Sequence, residues 1–160
     1  MRLYSRPGND LTDRFPLIVE ALAGLRSRSL ILDGEAVCCD ESGMPSFDRL
    51  RHRHDDRSVL LYAFDLLELN GDDVRRDPLE VRKATLASLL SKARPGIRVN
   101  EHIEADGPTV FAHVCRMGLE GIVSKRTDSS YRSGRSRDWL KSKNPASAAV
   151  KREAEEDWRS

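Results

Sequence analysis

Four short segments of the sequence concentrate residue types that bind or transform phosphorylated ligands. Residues 31–37 contain two carboxylates, Asp33 and Glu35, which a strand would place on one face because side chains alternate. In residues 120–125, Glu120 precedes a glycine and Lys125 ends the segment. A carboxylate of this kind suits a hard divalent cation, and an ammonium group suits phosphate. The ordinary alternatives are that Glu35 is simply solvated and that Glu120 and Lys125 form a surface ion pair.

The other two segments combine aromatic and basic residues. In residues 139–143, alternation puts Trp139, Lys141 and Lys143 on one strand face, with the two lysines rooted about 7 Å apart. Two ammonium groups so placed suit phosphate, although lysine also blunts exposed strand edges. Phe64, in residues 62–66, is able to stack on a purine, but an aromatic residue in an apolar strand is more often part of a core. Residue types alone leave both alternatives open.

Hydrophobic periodicity predicts the elements that must position these residues. Helices are expected over residues 15–25 and 78–93, and a third is expected to start at Asp106 or Thr109 and to end just before Gly118. Strands are expected over residues 30–39, 59–67, 97–100, 121–125 and 139–143. Asn70-Gly71 predicts a turn, residues 127–137 a polar loop, and residues 146–158 a solvated helix or frayed end. The irregular interleaving of strands and helices, with hairpin turns among them, favours an α+β domain.

Composition sets further limits. A chain of 160 residues with 39% apolar residues is long enough for a real core and is most simply interpreted as one domain. The formal net charge of +1 argues neither for nor against a polyanionic partner, so any basic surface must be local.

Cysteine and histidine usage gives no sign of a metal or disulfide framework. The three cysteines, Cys38, Cys39 and Cys115, lack CxxC spacing, which fits a reducing cytoplasm. The polar cluster of His52, His54, Asp55 and Asp56 is more typical of a solvated turn than of a metal site. The sequence contains no run of eighteen consecutive apolar residues, the pattern that would predict a membrane-spanning helix.

In order and spacing, the four segments resemble motifs III, IIIa, IV and V of the covalent nucleotidyltransferases, which include DNA ligases, RNA ligases and capping enzymes. Residues 5–10, with Phe15-Pro16, resemble the motif Ia region of DNA ligases. The resemblance covers residues 3–145 and is closest to the ligases of bacterial double-strand-break repair by end joining. It implies an ATP-grasp-like nucleotidyltransferase fold of antiparallel sheets flanked by helices around an ATP cleft. Residues 1–145 would form a partial adenylation domain, followed by a charged tail, residues 146–160, without an OB-fold.

The resemblance also implies a role for each matching residue. Glu35 would bind the ribose, Phe64 would stack on adenine, and Glu120 would help hold Mg²⁺. Lys125 would belong to the phosphate cradle of ATP, in which Lys141 and Lys143 would contact the α-phosphate. The implied partners are nicked double-stranded DNA and end-joining repair proteins, with the DNA contacted by Arg6 near the 5′-phosphate and by Arg135, which Tyr131 and Gly134 accompany in the polar loop.

One family motif has no counterpart in the sequence. Ligases carry a Lys-x-Asp-Gly motif whose lysine attacks ATP, but the Asp-Gly pairs here are preceded at that position by Ile31 and Glu104. The resemblance therefore predicts a chain that begins after this motif and does not self-adenylate, and whose unpaired strand edge favours self-association. The alternatives are a non-catalytic module that binds DNA or a partner, and an RNA ligase or capping-type nucleotidyltransferase.

Overall fold

The computed structural model describes residues 1–41, 43, 45–52, 55–134, 136–147 and 150–151, without the side chains of residues 47 and 48. The chain divides into two compact units, residues 1–101 and 102–160, where length alone suggests a single core.

The first unit is built on a four-stranded sheet centred on one long strand. Its strands are β1 (Leu30–Val37), β2 (Leu60–Leu69), β3 (Asp72–Asp73) and β4 (Ile97–Val99). The central β2 pairs antiparallel with β1 and with β3, and parallel with β4. The turn between β2 and β3 is made by Asn70 and Gly71, with φ of 56° and 100°. Two successive positive φ values are what the Asn-Gly pair supplies in a tight hairpin, so the predicted turn is confirmed.

The described helices of this unit are α1 (Pro16–Ala23), α2 (Phe47–Arg51) and α3 (Leu79–Leu90), of which α1 and α3 pack against the sheet. A 3₁₀ turn, Asp56–Ser58, leads into β2. One apolar core lies between α1, α3 and the sheet, and includes Ala63, Leu66, Leu86 and Ile97. A second core joins Phe15, Ile18, Cys38 and Val59. These contacts hold β1 and β2, the strands that carry the first two motif segments.

Among its described residues, the second unit is built on one long helix and a two-stranded sheet. The helix α4 (Gly107–Arg116) precedes β5 (Gly121–Lys125), which pairs antiparallel with β6 (Trp139–Lys143). Asp106 caps α4, since its carboxylate accepts hydrogen bonds from the Thr109 amide at 3.1 Å and the Thr109 hydroxyl at 2.8 Å. A cap of this type satisfies amides that the first turn leaves unpaired. Of the two predicted starts, Asp106 and Thr109, the structure has Asp106.

The predicted α+β class and the bounds of β5 and β6 are confirmed. The sheets are antiparallel as expected except for the pair β2 and β4, whose connection passes through α3 and therefore returns in the same direction. The short helix α2 was not predicted. Most of the tail predicted over residues 146–158 lies outside the described residues. Among the described residues, no helix is both long enough and apolar enough to cross a membrane.

Candidate functional site

One candidate site, in the first unit, is the irregular pairing between β1 and β2. Asp33 pairs with Asp65, but the next residue, Gly34, pairs with Ala63, so Phe64 is left as the extra residue of a bulge. Bulges of this kind redirect a side chain and occur often beside functional sites. Phe64 is half-buried, and neither apolar core, as the described residues define it, includes this ring. Phe64 therefore lies at a bulge outside both of these cores, and its stacking role stays a prediction.

The carboxylates of β1 flank a glycine that the packing requires. A Cβ on Gly34 would come within 2.8 Å of the Tyr62 carbonyl oxygen and of Leu61 Cδ1. A glycine therefore allows β1 and β2 to approach closely at the bulge. Glu35 is exposed and Asp33 is half-buried. Glu35 is thus accessible to a ligand. It lies on β1, which pairs with β2, the strand that carries Phe64.

Asp65, beside Phe64, has a structural role. Arg82 of α3 donates from Nε to Asp65 Oδ1 at 2.7 Å and from Nη2 to Oδ2 at 3.0 Å, and both side chains are completely buried. Arg82 also donates to the Asp77 carbonyl, and the Leu66 amide donates to Asp65 Oδ1 at 2.9 Å. This network joins α3 to the strand that carries Phe64. Burial near these groups lowers the pKa of the Lys83 ammonium, an effect that the charge of Asp65 partly offsets.

A separate candidate site, in the second unit, is one face of the β5–β6 sheet. The register pairs Gly121 with Lys143, Val123 with Lys141 and Lys125 with Trp139. Directly opposed residues share a face, so the three lysines lie on the same side, as predicted for Lys141 and Lys143. Glu120 precedes β5, and its Oε1 lies 3.1 Å from Lys141 Nζ. Both side chains are about half exposed, so this ion pair adds little stability and remains open to ligands.

An aromatic pair lies at the other end of the same face. Lys125 Nζ is 4.1 Å from the centroid of the Trp139 ring. The Tyr131 ring meets Trp139 edge to face, with centroids 5.8 Å apart and planes at 72°. Both geometries are attractive, because the face of an aromatic ring is negative and its edge is positive. Lys125 is therefore held at a defined place on the face.

The backbone beside Glu120 is fixed by a buried amide side chain. Asn144 is 2% exposed; its Nδ2 donates to the Leu119 carbonyl at 2.9 Å, and its backbone amide donates to the Glu120 carbonyl at 2.6 Å. Gly121 has φ of 152°, and a Cβ there would lie 2.1 Å from the Ser142 carbonyl oxygen. The carboxylate thus extends from a backbone that is anchored to the end of β6.

Arg6 lies on an exposed hairpin in the first unit. The Ser5 amide donates to the Asn9 carbonyl at 2.9 Å, and the Gly8 amide donates to the Ser5 carbonyl at 2.8 Å. Below this turn, hydrogen bonds from Thr12 and then from Arg2 lower the pKa of Asp10 to about 2. The hairpin presents Arg6 to solvent, where a phosphate could be reached.

The described residues omit part of two predicted features: the DNA contact of Arg135 and the polar cluster that includes His52, His54 and Asp56. Arg135 and His54 lie outside the described residues. Asp56, from the polar cluster with His52, accepts from Arg14 Nε at 3.0 Å and Nη2 at 3.2 Å. Over the described parts of the chain, His, Cys, Asp and Glu nowhere gather in threes that could hold a metal ion. A divalent cation at Glu120 would therefore need oxygen ligands from its substrate, which is how Mg²⁺ commonly binds beside phosphates.

Sequence reasoning did not find Asn144 or the contact between Lys125 and Trp139. A signal for Asn144 was present, since an amide residue followed by Pro145 directly after a strand is typical of a chain that turns back on itself. The ring contact depends on strand register, which carries no local signal.

Comparison with known proteins connects these features to a family. Residues 1–143 match the model of a family described as ATP dependent DNA ligase domain. The chain is 40% identical over 147 residues to the multifunctional non-homologous end joining protein LigD of Pseudomonas aeruginosa, covering 89% of the chain and 18% of that protein. It is 38% identical over 157 residues to a DNA ligase of Haloferax volcanii, covering 88% of the chain and 26% of that protein.

Solved structures agree with the sequence relatives. The ligase domain of M. tuberculosis LigD superposes with a TM-score of 0.75 at 38% identity, covering 89% of this chain and 47% of that one. The same values hold for a mycobacterial DNA ligase D complexed with ATP and MES. The chain therefore spans about half of the solved ligase domain and a smaller share of the full-length relatives.

Proposed function

Because this chain belongs to the ATP-dependent DNA ligase domain family, we propose that it supplies nucleotide contacts to an enzyme that seals nicks in double-stranded DNA. The observation that carries the proposal is the lysine-bearing face of the β5–β6 sheet, where the Glu120 carboxylate lies 3.1 Å from the Lys141 ammonium. A carboxylate and several ammonium groups together suit a phosphate with a bound cation.

The first unit would recognise the nucleoside. Phe64 projects from a bulge, outside the two apolar cores of the described residues, and its ring is suited to stacking on adenine. The exposed Glu35 carboxylate would accept hydrogen bonds from the ribose hydroxyls. Neither contact requires a covalent step, so both would contribute to the binding of ATP itself.

The second unit would bind the phosphates. Lys141 and Lys143 would donate to the α-phosphate, and Lys125 would contribute a third positive charge to the same face. Phosphoryl transfer depends mainly on positioning and on neutralising negative charge, which these ammonium groups supply. Lys141 would exchange part of its contact with Glu120 for the phosphate, since the present ion pair is half exposed and weak.

The residues present fit a magnesium ion shared with ATP. Glu120 is a single half-exposed carboxylate, which is enough for Mg²⁺ when phosphate oxygens and water complete its coordination. When bound, the cation would neutralise charge on the phosphates. The buried Asn144 side chain would keep the Glu120 backbone in place for this contact.

Contacts with DNA and with repair proteins complete the proposal. Arg6, exposed on its hairpin, would contact the 5′-phosphate at a nick, and Arg135 would contact the DNA backbone. The relatives named for non-homologous end joining suggest that the same pathway, with its partner proteins, uses this chain. Attack on ATP would require a Lys-x-Asp-Gly motif, which is not found in these 160 residues.

Isothermal titration calorimetry with ATP and Mg²⁺ tests the proposal. Lys141→Met should weaken binding about tenfold or more, because a charge-assisted hydrogen bond contributes about 1.5–3 kcal/mol. Lys92→Met, at an exposed position distant in sequence from all four motif segments, is the matched control. Phe64→Leu should also weaken binding, whereas Phe111→Leu, at another half-buried phenylalanine, should not.

The same titration separates the alternatives. Tighter binding of GTP than of ATP would favour a capping-type nucleotidyltransferase. Failure to bind either nucleotide, combined with binding of nicked DNA that Glu120→Gln leaves unchanged, would favour a non-catalytic DNA-binding module. Glu80→Gln, on the exposed side of α3, controls for a simple loss of negative charge.

A further inference from the structure

The contact between Lys125 and Trp139 has features of a positioning device. Trp139 is the cross-strand partner of Lys125, and the ammonium lies 4.1 Å from the centre of the indole ring. A lysine side chain has many rotamers, so its charge is poorly placed unless a contact restricts it. Contact with the ring restricts it to the face that also carries Lys141 and Lys143.

The ring itself is held from the side. Tyr131, from the loop between β5 and β6, places its ring at 72° to the indole with centroids 5.8 Å apart. Trp139 Nε1 is buried and has no hydrogen-bond acceptor among the described residues. A hydrogen bond from the indole nitrogen therefore does not explain a tryptophan here. Its large negative face does, since tryptophan is the aromatic residue that attracts cations most strongly.

We infer that Trp139 is a positioning residue that holds the Lys125 ammonium on the phosphate-binding face, and that Tyr131 keeps the indole ring in the required plane. The inference deepens the proposed function and rests on it, because the ligand of Lys125 would be a phosphate of ATP. It differs from that proposal in assigning a ligand-binding effect to a residue that does not itself touch the nucleotide.

The geometric half is tested without any nucleotide. Protons that lie over an aromatic ring experience its ring current, so the terminal methylene signal of Lys125 should be shifted upfield of those of the other five lysines. Lys125→Met assigns the signal by removing it. Trp139→Leu should return the signal to the position of the others, and Trp139→Phe should retain part of the shift. A Lys125 signal that is unshifted in the unmodified protein would overturn the inference.

The functional half is tested by a double-mutant cycle on ATP affinity. Trp139→Leu should weaken ATP binding about two- to fivefold, the factor that corresponds to a cation–π contact at a partly exposed site. In a Lys125→Met background the same substitution should have no further effect, because there is no ammonium left to position. An equal loss in both backgrounds would show that Trp139 acts on folding alone and would overturn the inference.

Two further measurements keep the outcomes distinct. Thermal melting of Trp139→Leu checks for unfolding, and Trp139→Phe, which keeps an aromatic face, should bind ATP with intermediate affinity. If the ring-current shift is present but the unmodified protein does not bind ATP, the proposed function fails and the phosphate role of Lys125 fails with it. If ATP binds normally and Trp139→Leu binds it equally well, the positioning role alone is wrong.

Discussion

The carboxylate of Asp65 and the guanidinium of Arg82 form a completely buried, two-pronged ion pair between β2 and α3, with N–O distances of 2.7 and 3.0 Å. This pair adjoins Phe64 in sequence and joins the helix to the strand that would recognise the nucleoside. Burial of both charges makes each one strongly dependent on the other.

Asp65→Asn should lower the free energy of unfolding by about 3–5 kcal/mol, since it leaves the Arg82 charge buried without its partner. Chemical denaturation followed by circular dichroism measures the loss. Replacing both residues together with leucine should restore much of the stability. The exposed pair of Asp73 and Arg75, at 2.6 Å, is the control, and Arg75→Ala should leave the midpoint unchanged. If Asp65→Asn and Arg75→Ala lowered the free energy of unfolding by similar amounts, burial would not be the reason that the Asp65–Arg82 pair matters.

Gly121→Ala should disrupt the β5–β6 sheet. Its φ of 152° is unfavourable for other residues, and the added Cβ would lie 2.1 Å from the Ser142 carbonyl oxygen. Gly118→Ala is the matched control, because φ there is 72° but no atom lies within 4 Å of the new Cβ. It should cost only about 1–2 kcal/mol for the left-handed backbone. Amide hydrogen exchange in β5 distinguishes the two, and equal protection in both variants would contradict the predicted clash.

The hairpin that presents Arg6 should resist mild acid. The pKa of Asp10 is lowered to about 2, first by hydrogen bonds from Thr12 and then by Arg2. A lowered folded-state pKa means that the stabilisation from this carboxylate is complete above its unfolded pKa near 3.9 and is lost as the pH falls towards 2. Carboxyl NMR titration should show that Thr12→Val raises the pKa of Asp10 more than Arg2→Met does. The reverse order would show that charge, rather than hydrogen bonding, dominates.

Incubation of these 160 residues with Mg²⁺ and ATP labelled in the α-phosphate should give no acid-stable protein–AMP adduct. The sequence contains no Lys-x-Asp-Gly, and the lysines of the β5–β6 face are assigned to phosphate binding. Gel electrophoresis after denaturation measures the adduct. A labelled band would identify a different nucleophile, which peptide mapping would locate.

Local patterns in the sequence determined several elements without help from the rest of the chain. Short strand-like segments gave the bounds of β5 and β6, the Asn70-Gly71 pair predicted the hairpin turn, and Asp106 was one of two residues predicted to start α4. Each of these depends on interactions between residues only a few positions apart. The motif segments also identified the family, because motif order is a property of the sequence itself. The roles of all the site residues stay predictions: Arg6, Glu35, Phe64, Glu120, Lys125, Arg135, Lys141 and Lys143.

The tertiary structure decided which of these residues meet. The bulge at Phe64 arises from the register between two strands, and the burial of Arg82 depends on Asp65, seventeen positions earlier in the chain. The five-residue helix α2 is too short to leave a periodic signal. The contact of Lys125 with Trp139 likewise requires the pairing of β5 with β6. Register and burial come from packing between distant segments, so the sequence determines which groups are available for chemistry, and folding determines which of them act together.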